Sequence, residues 1–428
     1  DIIIYLLIYH NNYIRIYKDY SSAQVINLGL IFLWLILSYV TGRYYSGPSK
    51  ISARVYDLIS TLIVTLFCIS FDLFSKIILK SDSIDYSIFC TFAALSFIIQ
   101  IAINYITKIY FSKKVLWYFI GSEEDYIKFK SNLKYYRISQ EVRRDDEIIK
   151  TFNDIKFNPE KDIKLENYKL KLILSNETIR QTKRFNLLNE NKRINMISIL
   201  EWCDIYLQRY PPSLISNELL SLIHLTSNKN NVELRIKRIA ELFISLLILI
   251  ISLPIIIVAA IAIKVEDGGP IFYTQLRTGR GGKTFSIYKL RTMKVSAERD
   301  GYKWAKKNDA RITLVGNFLR KMRIDELPQL VTVITGTMSL IGPRPERPEF
   351  DKLLGDKIPN YYYRQAIKPG LSGWAQVNYP YGASVLDSEN KLSYDLYYIK
   401  NFSTLLDILI FFKTMRLVFT AKGSVPKV

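Results

Sequence analysis

An apolar run at residues 239–263 is the feature that most constrains how this chain can fold. It is long enough to cross a bilayer, which takes about 20 apolar residues. Pro254 lies near its middle, where a proline removes a helical hydrogen bond and kinks the chain. Basic residues stand at both ends of the run. The pattern therefore fits a helix that enters one leaflet and returns, and it fits an ordinary kinked span equally well.

Four further apolar stretches fall in the first 110 residues and predict a bundle of membrane helices there. They lie at residues 1–9, 25–40, 55–74 and 86–105. The loop between the second and third stretches carries Arg43, Lys50 and Arg54 and no acid, so the positive-inside rule places it in the cytoplasm. By the same rule, the lysines after the fourth stretch place the rest of the chain in the cytoplasm. The first residue is not Met, which leaves open whether a segment precedes it.

Residues 111–230 have a different pattern. Strand-like runs at Val115–Ile120 and Leu170–Leu174 alternate with polar helical stretches, which predicts a small Rossmann-like α/β domain. Gly121 is the only glycine between Lys50 and Asp267, so no glycine-rich loop is available to approach a pyrophosphate. We therefore expect a structural or regulatory module without a dinucleotide loop, and its role stays open.

The chain carries a strong excess of positive charge. It has 59 Lys+Arg against 39 Asp+Glu, and roughly 14 basic residues against 3 acidic ones fall between Arg277 and Arg323. Such a stretch suits the phosphates of a nucleic acid, a lipid headgroup or a nucleotide. Nucleic acid is disfavoured because the stretch lacks a regular recognition helix and aromatics spaced for base stacking. Lys289 and Arg291, two residues apart in a strand-like run, favour a diphosphate over a merely solvated strand face.

Composition excludes several other classes of protein. The chain is 49% hydrophobic and 13% aromatic, which is too apolar for a disordered chain. Its three cysteines and two histidines are scattered, so we predict no disulfide framework, no zinc site and no histidine base.

Two adjacent carboxylates, Asp325 and Glu326, form the most informative pair in the chain. Pro328 close behind them predicts a helix that begins near Asp325, with this aspartate as the N-cap. Simple capping is one interpretation. The other is phosphoryl chemistry: a carboxylate at a helix N-terminus stays ionised and can act as a nucleophile, with Arg320 screening the charge and the pair sharing Mg²⁺.

A second constrained cation follows at Arg344. It stands between Pro343 and Pro345, so its backbone has little freedom. A guanidinium held in this way can bind a phosphate through two hydrogen bonds at low entropic cost. A proline-rich turn with a chance arginine is the alternative.

Taken together, these segments resemble one family. Residues 233–428 carry, in order, the motifs GGPIFYTQLRTGRGGKTFSIYKLRTM, LRKMRIDELPQL, GTMSLIGPRPERP and KPGLSGWAQVN. They resemble the bacterial sugar transferases, the polyprenyl-phosphate phosphoglycosyl transferases that start exopolysaccharide, capsule or O-antigen repeat units. The multi-span N-terminus and the α/β region are similar to those of the large members of that family. Glu241 stands where the resemblance leads us to expect Asp.

The resemblance implies a role for each matching residue. Asp325 would be the nucleophile that attacks the β-phosphate of a UDP-sugar, and Glu326 would complete the pair and help it hold Mg²⁺. Substrate phosphates would be bound by Lys289, Arg291, Arg320 and Arg344. The break of a re-entrant membrane helix at residues 239–263 would lie at Ser252 and Pro254.

The resemblance also implies the partners and the location. UDP-sugar and undecaprenyl phosphate would be the substrates, and the product would be a lipid diphosphosugar with release of UMP. The protein would sit in the bacterial inner membrane among its lipids, with the catalytic part on the cytoplasmic face. Which sugar is transferred, and whether the chain forms a homodimer, stay open.

The prediction is therefore a membrane protein in three parts. A transmembrane helical bundle occupies residues 1–110, an α/β cytoplasmic module residues 111–230, and a mainly α catalytic domain residues 231–428, which includes the re-entrant helix. A membrane transporter or scaffold with a basic cytoplasmic domain is the alternative, but it leaves the DELPQL, YKLRTM and GPRP motifs unexplained.

Overall fold

The computed structural model describes only part of the chain. The described residues are 115–133, 140–144, 170–175, 194–215, 231–297, 309–379, 382 and 384–419, with scattered helical positions between 33 and 105. The predicted bundle over residues 1–110 lies almost wholly outside this set. By its contacts the chain divides into two units, Asp1–Lys113 with Phe412–Thr420, and Lys114–Phe411 with Ala421–Val428. The second unit holds the sheets and the conspicuous motifs.

A four-stranded parallel sheet opens the second unit. Its strands are β1 (Val115–Ile120), β2 (Gln140–Arg143), β3 (Leu170–Leu174) and β4 (Ile194–Ser198), in the spatial order β2-β1-β3-β4. Helix α1 (Glu123–Leu133) follows β1 and buries Phe129 against the sheet. Parallel strands buried on both faces read as apolar runs, which is why β1 and β3 were visible in the sequence. The predicted mixed α/β architecture with a parallel sheet is confirmed.

A short irregular segment leads away from the sheet. Helix α2 (Ile199–Trp202) continues as a π-helical turn over Cys203–Leu207 and ends at Gln208, which has a left-handed conformation with φ 51°. A 3₁₀ turn at Pro212–Leu214 follows. We call residues 199–215 the bridge segment. Arg209 at its centre is fully buried.

A long helix, α3 (Asn231–Asp267), contains the apolar run and continues through Pro254. Among the described residues it is the one helix long and apolar enough to cross a membrane. Its buried side chains form a stripe, and many of its remaining apolar side chains are exposed. The buried ones include Glu241, Ser245, Ser252, Ala259 and Ile263. A helix with one face on protein and an apolar opposite face is typical of a membrane-associated element.

An antiparallel hairpin follows the helix. Strands β5 (Phe272–Thr278) and β6 (Thr284–Leu290) pair with Tyr273 opposite Lys289. The turn Arg280–Gly282 has φ of 65° at Gly281 and 77° at Gly282, values that favour glycine over residues with a side chain. The two glycines thus lie in the turn of the hairpin.

The remaining elements are short and pack around this hairpin. The helices are α4 (Leu314–Lys321), α5 (Leu330–Thr335), α6 (Pro348–Lys357), α7 (Trp374–Asn378), α8 (Val385–Asn401) and α9 (Thr404–Phe419). Strands β7 (Ser339–Ile341) and β8 (Gly370–Ser372) form a small parallel pair. 3₁₀ helices lie at Ile324–Gln329 and Tyr361–Ala366.

One hydrophobic core joins the sheet to the C-terminal half of the chain. From the sheet and the bridge segment it takes Trp117, Phe119, Ile173, Trp202 and Tyr210, among others. From beyond residue 231 it takes Leu354, Ile358, Tyr361, Leu392, Leu396 and Ile399. Residues on both sides of the predicted boundary near residue 230 therefore belong to one core. The domain limit at that boundary stays a prediction.

Candidate active site

The carboxylate pair lies in the 3₁₀ helix Ile324–Gln329, directly after α4. Arg323 precedes it in a left-handed conformation with φ 59°, which turns the chain sharply between the two helices. Asp325 is thus the second residue of the 3₁₀ helix, and the expectation that it caps a helix is wrong. Pro328 lies inside the same short helix and is buried.

Three cations surround Glu326. Lys289 Nζ lies 3.2 Å from Glu326 Oε1, and Arg344 donates from Nη2 to Oε1 at 2.5 Å and from Nη1 to Oε2 at 3.4 Å. Arg323 Nη1 lies 3.6 Å from Oε2. Burial would raise the pKa of Glu326, but the charges of these three residues and the Arg344 hydrogen bond hold it well below the usual range. Glu326 therefore stays ionised and holds the cations together.

Asp325 is placed differently from its neighbour. Its side chain is 7% exposed, and within the described part of the chain it accepts no hydrogen bond and forms no ion pair within 4.0 Å. Burial and then the charge of Glu326 raise the pKa of Asp325 to about 6, against the charges of Lys289, Arg320 and Arg323. The carboxylate is still largely ionised at neutral pH, with its oxygens available to a substrate.

Strand β6 and helix α4 supply the remaining cations near the pair. Burial lowers the pKa of Lys289 to about 8, although the charge of Glu326 acts in the opposite direction. Arg320, in the last turn of α4, donates from Nε to Thr292 Oγ1 at 2.8 Å. Its charge reaches Asp325, so Lys289, Arg320 and Arg344 all lie around the carboxylate pair.

Arg291 lies elsewhere. Its guanidinium forms an ion pair with Asp267 at the C-terminal end of α3, and it is 7% exposed. A side chain at Gly269 would collide with this guanidinium, its Cβ lying 2.1 Å from Arg291 Nη1. In this structure Arg291 thus joins the hairpin to the end of α3 and does not contact the carboxylate pair.

The start of α3 is attached to the elements that carry the site. Lys237 Nζ donates to Ile341 O at 3.1 Å, to Tyr398 Oη at 3.0 Å and to Asp407 Oδ2 at 2.8 Å. Glu241 accepts from the Ser339 hydroxyl and, at 3.2 Å, from the Leu340 N–H.

The end of α5 is held by the same helix. Arg238 donates to Val333 O at 2.7 Å and to Ile334 O at 2.8 Å, which are among the last carbonyls of α5. Further along α3, Ser252 donates from Oγ to Leu249 O at 3.2 Å within the helix, and Pro254, two residues later, is exposed. The contacts of Lys237, Arg238 and Glu241 hold the start of the long helix against the elements that carry the site.

Sequence reasoning missed several cations of the site. Arg323 was detectable, since it stands three residues before Glu326 in a helical stretch, a spacing at which side chains meet. Arg277 and Arg364 had no comparable signal, because they approach the Arg344 loop from β5 and from the 3₁₀ helix Tyr361–Ala366.

The oxygen ligands present fit a hard divalent ion that is shared with a substrate. No group of three or more His, Cys, Asp or Glu side chains that could hold a metal lies together among the described residues. Mg²⁺ is commonly bound by one or two carboxylates together with substrate phosphates. Asp325 offers an unengaged carboxylate for this purpose, whereas both oxygens of Glu326 already contact cations.

Comparison with known proteins extends this picture. The profile of the family described as "Bacterial sugar transferase" matches residues 232–421. The uncharacterized sugar transferase EpsL of Bacillus subtilis is 38% identical over 192 residues, which cover 44% of this chain and 89% of that protein. The chain belongs to the bacterial sugar transferase family.

Other members carry more specific names. A UDP-glucose:undecaprenyl-phosphate glucose-1-phosphate transferase of Caulobacter vibrioides is 38% identical over 45% of this chain and 73% of its own length. A UDP-N-acetylgalactosamine-undecaprenyl-phosphate N-acetylgalactosaminephosphotransferase of Aeromonas hydrophila is 44% identical over 44% of this chain. The match spans 45% of the Aeromonas protein, so this chain covers about half the length of that relative.

Proposed function

We propose that this sugar transferase moves a sugar 1-phosphate from a UDP-sugar to undecaprenyl phosphate and releases UMP. The reaction would take place at the cytoplasmic face of the bacterial inner membrane and would initiate exopolysaccharide, capsule or O-antigen synthesis. The observation that carries the proposal is the buried, unengaged carboxylate of Asp325 beside the cations that hold Glu326. The names of the relatives support the general reaction.

The first step assigns a role to each side chain. An Asp325 oxygen attacks the β-phosphorus of the UDP-sugar, the bond from that phosphorus to the bridging oxygen breaks, and UMP leaves with the bonding electrons. Attack of one anion on another requires positive charge, which Lys289, Arg320 and Arg344 supply in a site shielded from water. Glu326 fixes Lys289 and Arg344 in place.

The second step regenerates the enzyme. An oxygen of undecaprenyl phosphate attacks the phosphorus bound to Asp325, and the aspartate leaves as a free carboxylate with the lipid diphosphosugar formed. A carboxylate is a suitable nucleophile because it is also a good leaving group from phosphorus. Its ionisation at neutral pH, with a pKa of about 6, is compatible with both steps.

Mg²⁺ is part of the proposal. When bound, it supplies positive charge that neutralises the diphosphate and stabilises the leaving oxygen. Asp325, with Glu326 beside it, would hold the ion together with substrate phosphate oxygens.

The packing of α3 supports a helix that enters and leaves on one side of the membrane. Ile244 and Ile248, before Pro254, pack against the core around Leu340 and Trp374. After the proline, Ala259 and Ile263 belong to a cluster with Leu290 and Leu319, in the same structural unit. A straight span would carry its far half away from a domain on one side of the bilayer. Contact along both halves therefore favours the re-entrant arrangement, with the exposed apolar face in the lipid.

The decisive experiment uses the full-length protein in detergent or nanodiscs with undecaprenyl phosphate and a panel of UDP-sugars. We expect release of UMP and a lipid-linked sugar with at least one donor. Omitting undecaprenyl phosphate and quenching with acid should leave a sugar phosphate attached to Asp325, detectable by peptide mass spectrometry. A transporter or scaffold would release no UMP.

Two substitutions separate the roles of the carboxylates. Asp325→Asn should abolish both UMP release and the adduct, because the amide is a poor nucleophile. Glu326→Gln should allow some adduct but lower turnover by about 100-fold or more and weaken the response to Mg²⁺, because Lys289 and Arg344 lose their anionic partner. Near-normal turnover of Asp325→Asn would falsify the nucleophile assignment.

A further inference from the structure

Residues 343–346, which we call the Arg344 loop, have no regular secondary structure, yet the carbonyl of each accepts a hydrogen bond. Four consecutive carbonyls accept a hydrogen bond in the described structure: Pro343 O from Gly370 N, Arg344 O from Arg364 Nη2, Pro345 O from Arg277 Nη1, and Glu346 O from Thr278 N. The distances are 2.8, 2.6, 2.9 and 2.9 Å. Two of the four donors are guanidinium groups. The two prolines fix their own φ angles, so the backbone of this loop has almost no freedom left.

Arg364 is the more deeply anchored of the two guanidinium groups. It is 9% exposed, and besides its bond to Arg344 O it donates from Nη1 to Tyr361 Oη at 2.8 Å. Its Nη2 also lies 3.1 Å from Asp395 Oδ2 on α8. Tyr361 in turn donates to Asp351 Oδ1 at 2.9 Å. Arg364 thus connects α6 and α8 to the Arg344 carbonyl. The side chain of Arg344 in turn binds Glu326.

We propose that Arg364 is a positioning residue for the transfer reaction: by binding the Arg344 carbonyl it aims the Arg344 guanidinium at Glu326 and at the substrate phosphates. This inference rests on the proposed function and adds to it a residue that does not contact the carboxylate pair. Arg277, on the next carbonyl, assists from the hairpin side.

Lysine cannot take over this task. The guanidinium places two N–H groups in a fixed plane, and here they bind the Tyr361 hydroxyl and the Arg344 carbonyl at once. A lysine ammonium keeps the charge opposite Asp395 but lacks the fixed fork. Arg364→Lys therefore preserves the buried charge and removes the alignment of the loop.

The test is a double-mutant cycle in the full-length protein. Arg364→Lys, Arg344→Ala and the double variant are compared by kcat/KM for UMP release and by the Kd for inorganic pyrophosphate, with the melting temperature of each recorded. We expect Arg364→Lys to lower kcat/KM by about ten- to hundredfold, the effect of losing one hydrogen bond to a charged group. In the Arg344→Ala background the same change should cost less than threefold, because Arg364 acts through Arg344.

Arg209→Lys is the matched control. Arg209 is another buried arginine, fully covered, and its guanidinium binds Asn390 Oδ1 at 2.9 Å and Asn132 O at 2.6 Å, away from the Arg344 loop. It should lower the melting temperature at least as much as Arg364→Lys and leave kcat/KM and pyrophosphate binding within about twofold.

The outcomes separate this inference from the proposed function. A wild-type protein that releases no UMP with any donor overturns the proposed function and this inference with it. An active wild type in which the losses from Arg364→Lys and Arg344→Ala multiply overturns the positioning role alone. An Arg209→Lys loss equal to that of Arg364→Lys would show that general destabilisation explains both, and would also overturn it.

Discussion

At the scale of single residues, two adjacent carboxylates have opposite environments. Glu326 is held by Lys289, Arg344 and Arg323, whereas Asp325 forms no hydrogen bond among the described residues. Adjacent side chains of a 3₁₀ helix point in different directions, so one can meet a cluster of cations while the other does not. This difference leaves the Asp325 carboxylate available for the nucleophilic role proposed above.

A pH effect on stability is expected from Asp395. Burial raises its pKa to about 6, against the charges of Arg364 and Lys391, with Glu346 adding to the rise. Because the folded state then binds a proton more tightly than the unfolded state, its contribution to stability is present below about pH 4 and is lost as pH rises to about 6. The loss is on the order of 3 kcal/mol.

The measurement compares thermal unfolding of wild type and Asp395→Asn between pH 4 and pH 7, followed by tryptophan fluorescence. The wild type should lose stability relative to the variant across pH 4–6 and show no further relative change above it. Parallel curves for the two proteins would contradict the raised pKa.

At the scale of elements, short helices depend on α3. Helix α5 (Leu330–Thr335) is too short to be stable by itself, and it follows directly on the 3₁₀ helix that carries the carboxylate pair. Arg238 binds two of its last carbonyls, and Gly336 closes its end with φ 91°. Helix α3 therefore contributes to the geometry of the site.

Arg238→Gln should loosen the end of α5. Loss of two charge-assisted hydrogen bonds is expected to cost about 2–3 kcal/mol and to lower kcat, because the carboxylate pair is attached to the same short stretch. Arg235→Gln, an exposed position on the same helix, is the control and should change the melting temperature by little. Equal effects of the two substitutions would argue against the capping role.

At the scale of the whole molecule, the sheet and the site share a core. Trp202 and Tyr210 of the bridge segment lie in one cluster with Leu354, Leu392 and Ile399. Trp374 Nε1 also donates to Gln208 O at 2.9 Å, across the predicted boundary near residue 230. The sugar transferase family matches residues 232–421, which lie in the C-terminal half of this chain. In this chain the corresponding half has apolar side chains that the sheet and the bridge segment cover.

Truncation tests this dependence. Removing residues 1–110 should leave a folded protein with some activity. Removing residues 1–215 should expose six large core side chains, a loss on the order of 10 kcal/mol, which approaches the whole stability of a typical domain. Thermal unfolding and UMP release of the two truncations provide the measurement, and a stable, active 216–428 fragment would show that the shared core is dispensable.

Much of the architecture was predictable from local pattern. Strands β1 and β3 and the long apolar helix follow from apolar runs in the sequence. Lys289, Arg320 and Arg344 were predicted together and do meet around Asp325 and Glu326. Arg291 does not lie with them, because it forms an ion pair with Asp267 instead. The alternation of a strand predicts which face a side chain is on, but not which residue it pairs with.

The sequence by itself determined the chemistry available to this protein: an acidic pair, a basic stretch, a long apolar helix and proline-fixed loops, all of which are local properties of the chain. Only the tertiary structure decided which carboxylate is held and which is open, because two of the three cations on Glu326, Lys289 and Arg344, lie 37 and 18 residues from it in the chain. The same holds for the shared core and for Arg364 on the Arg344 carbonyl. Contacts between distant segments carry no local signature, since each partner residue is suited to many other surroundings.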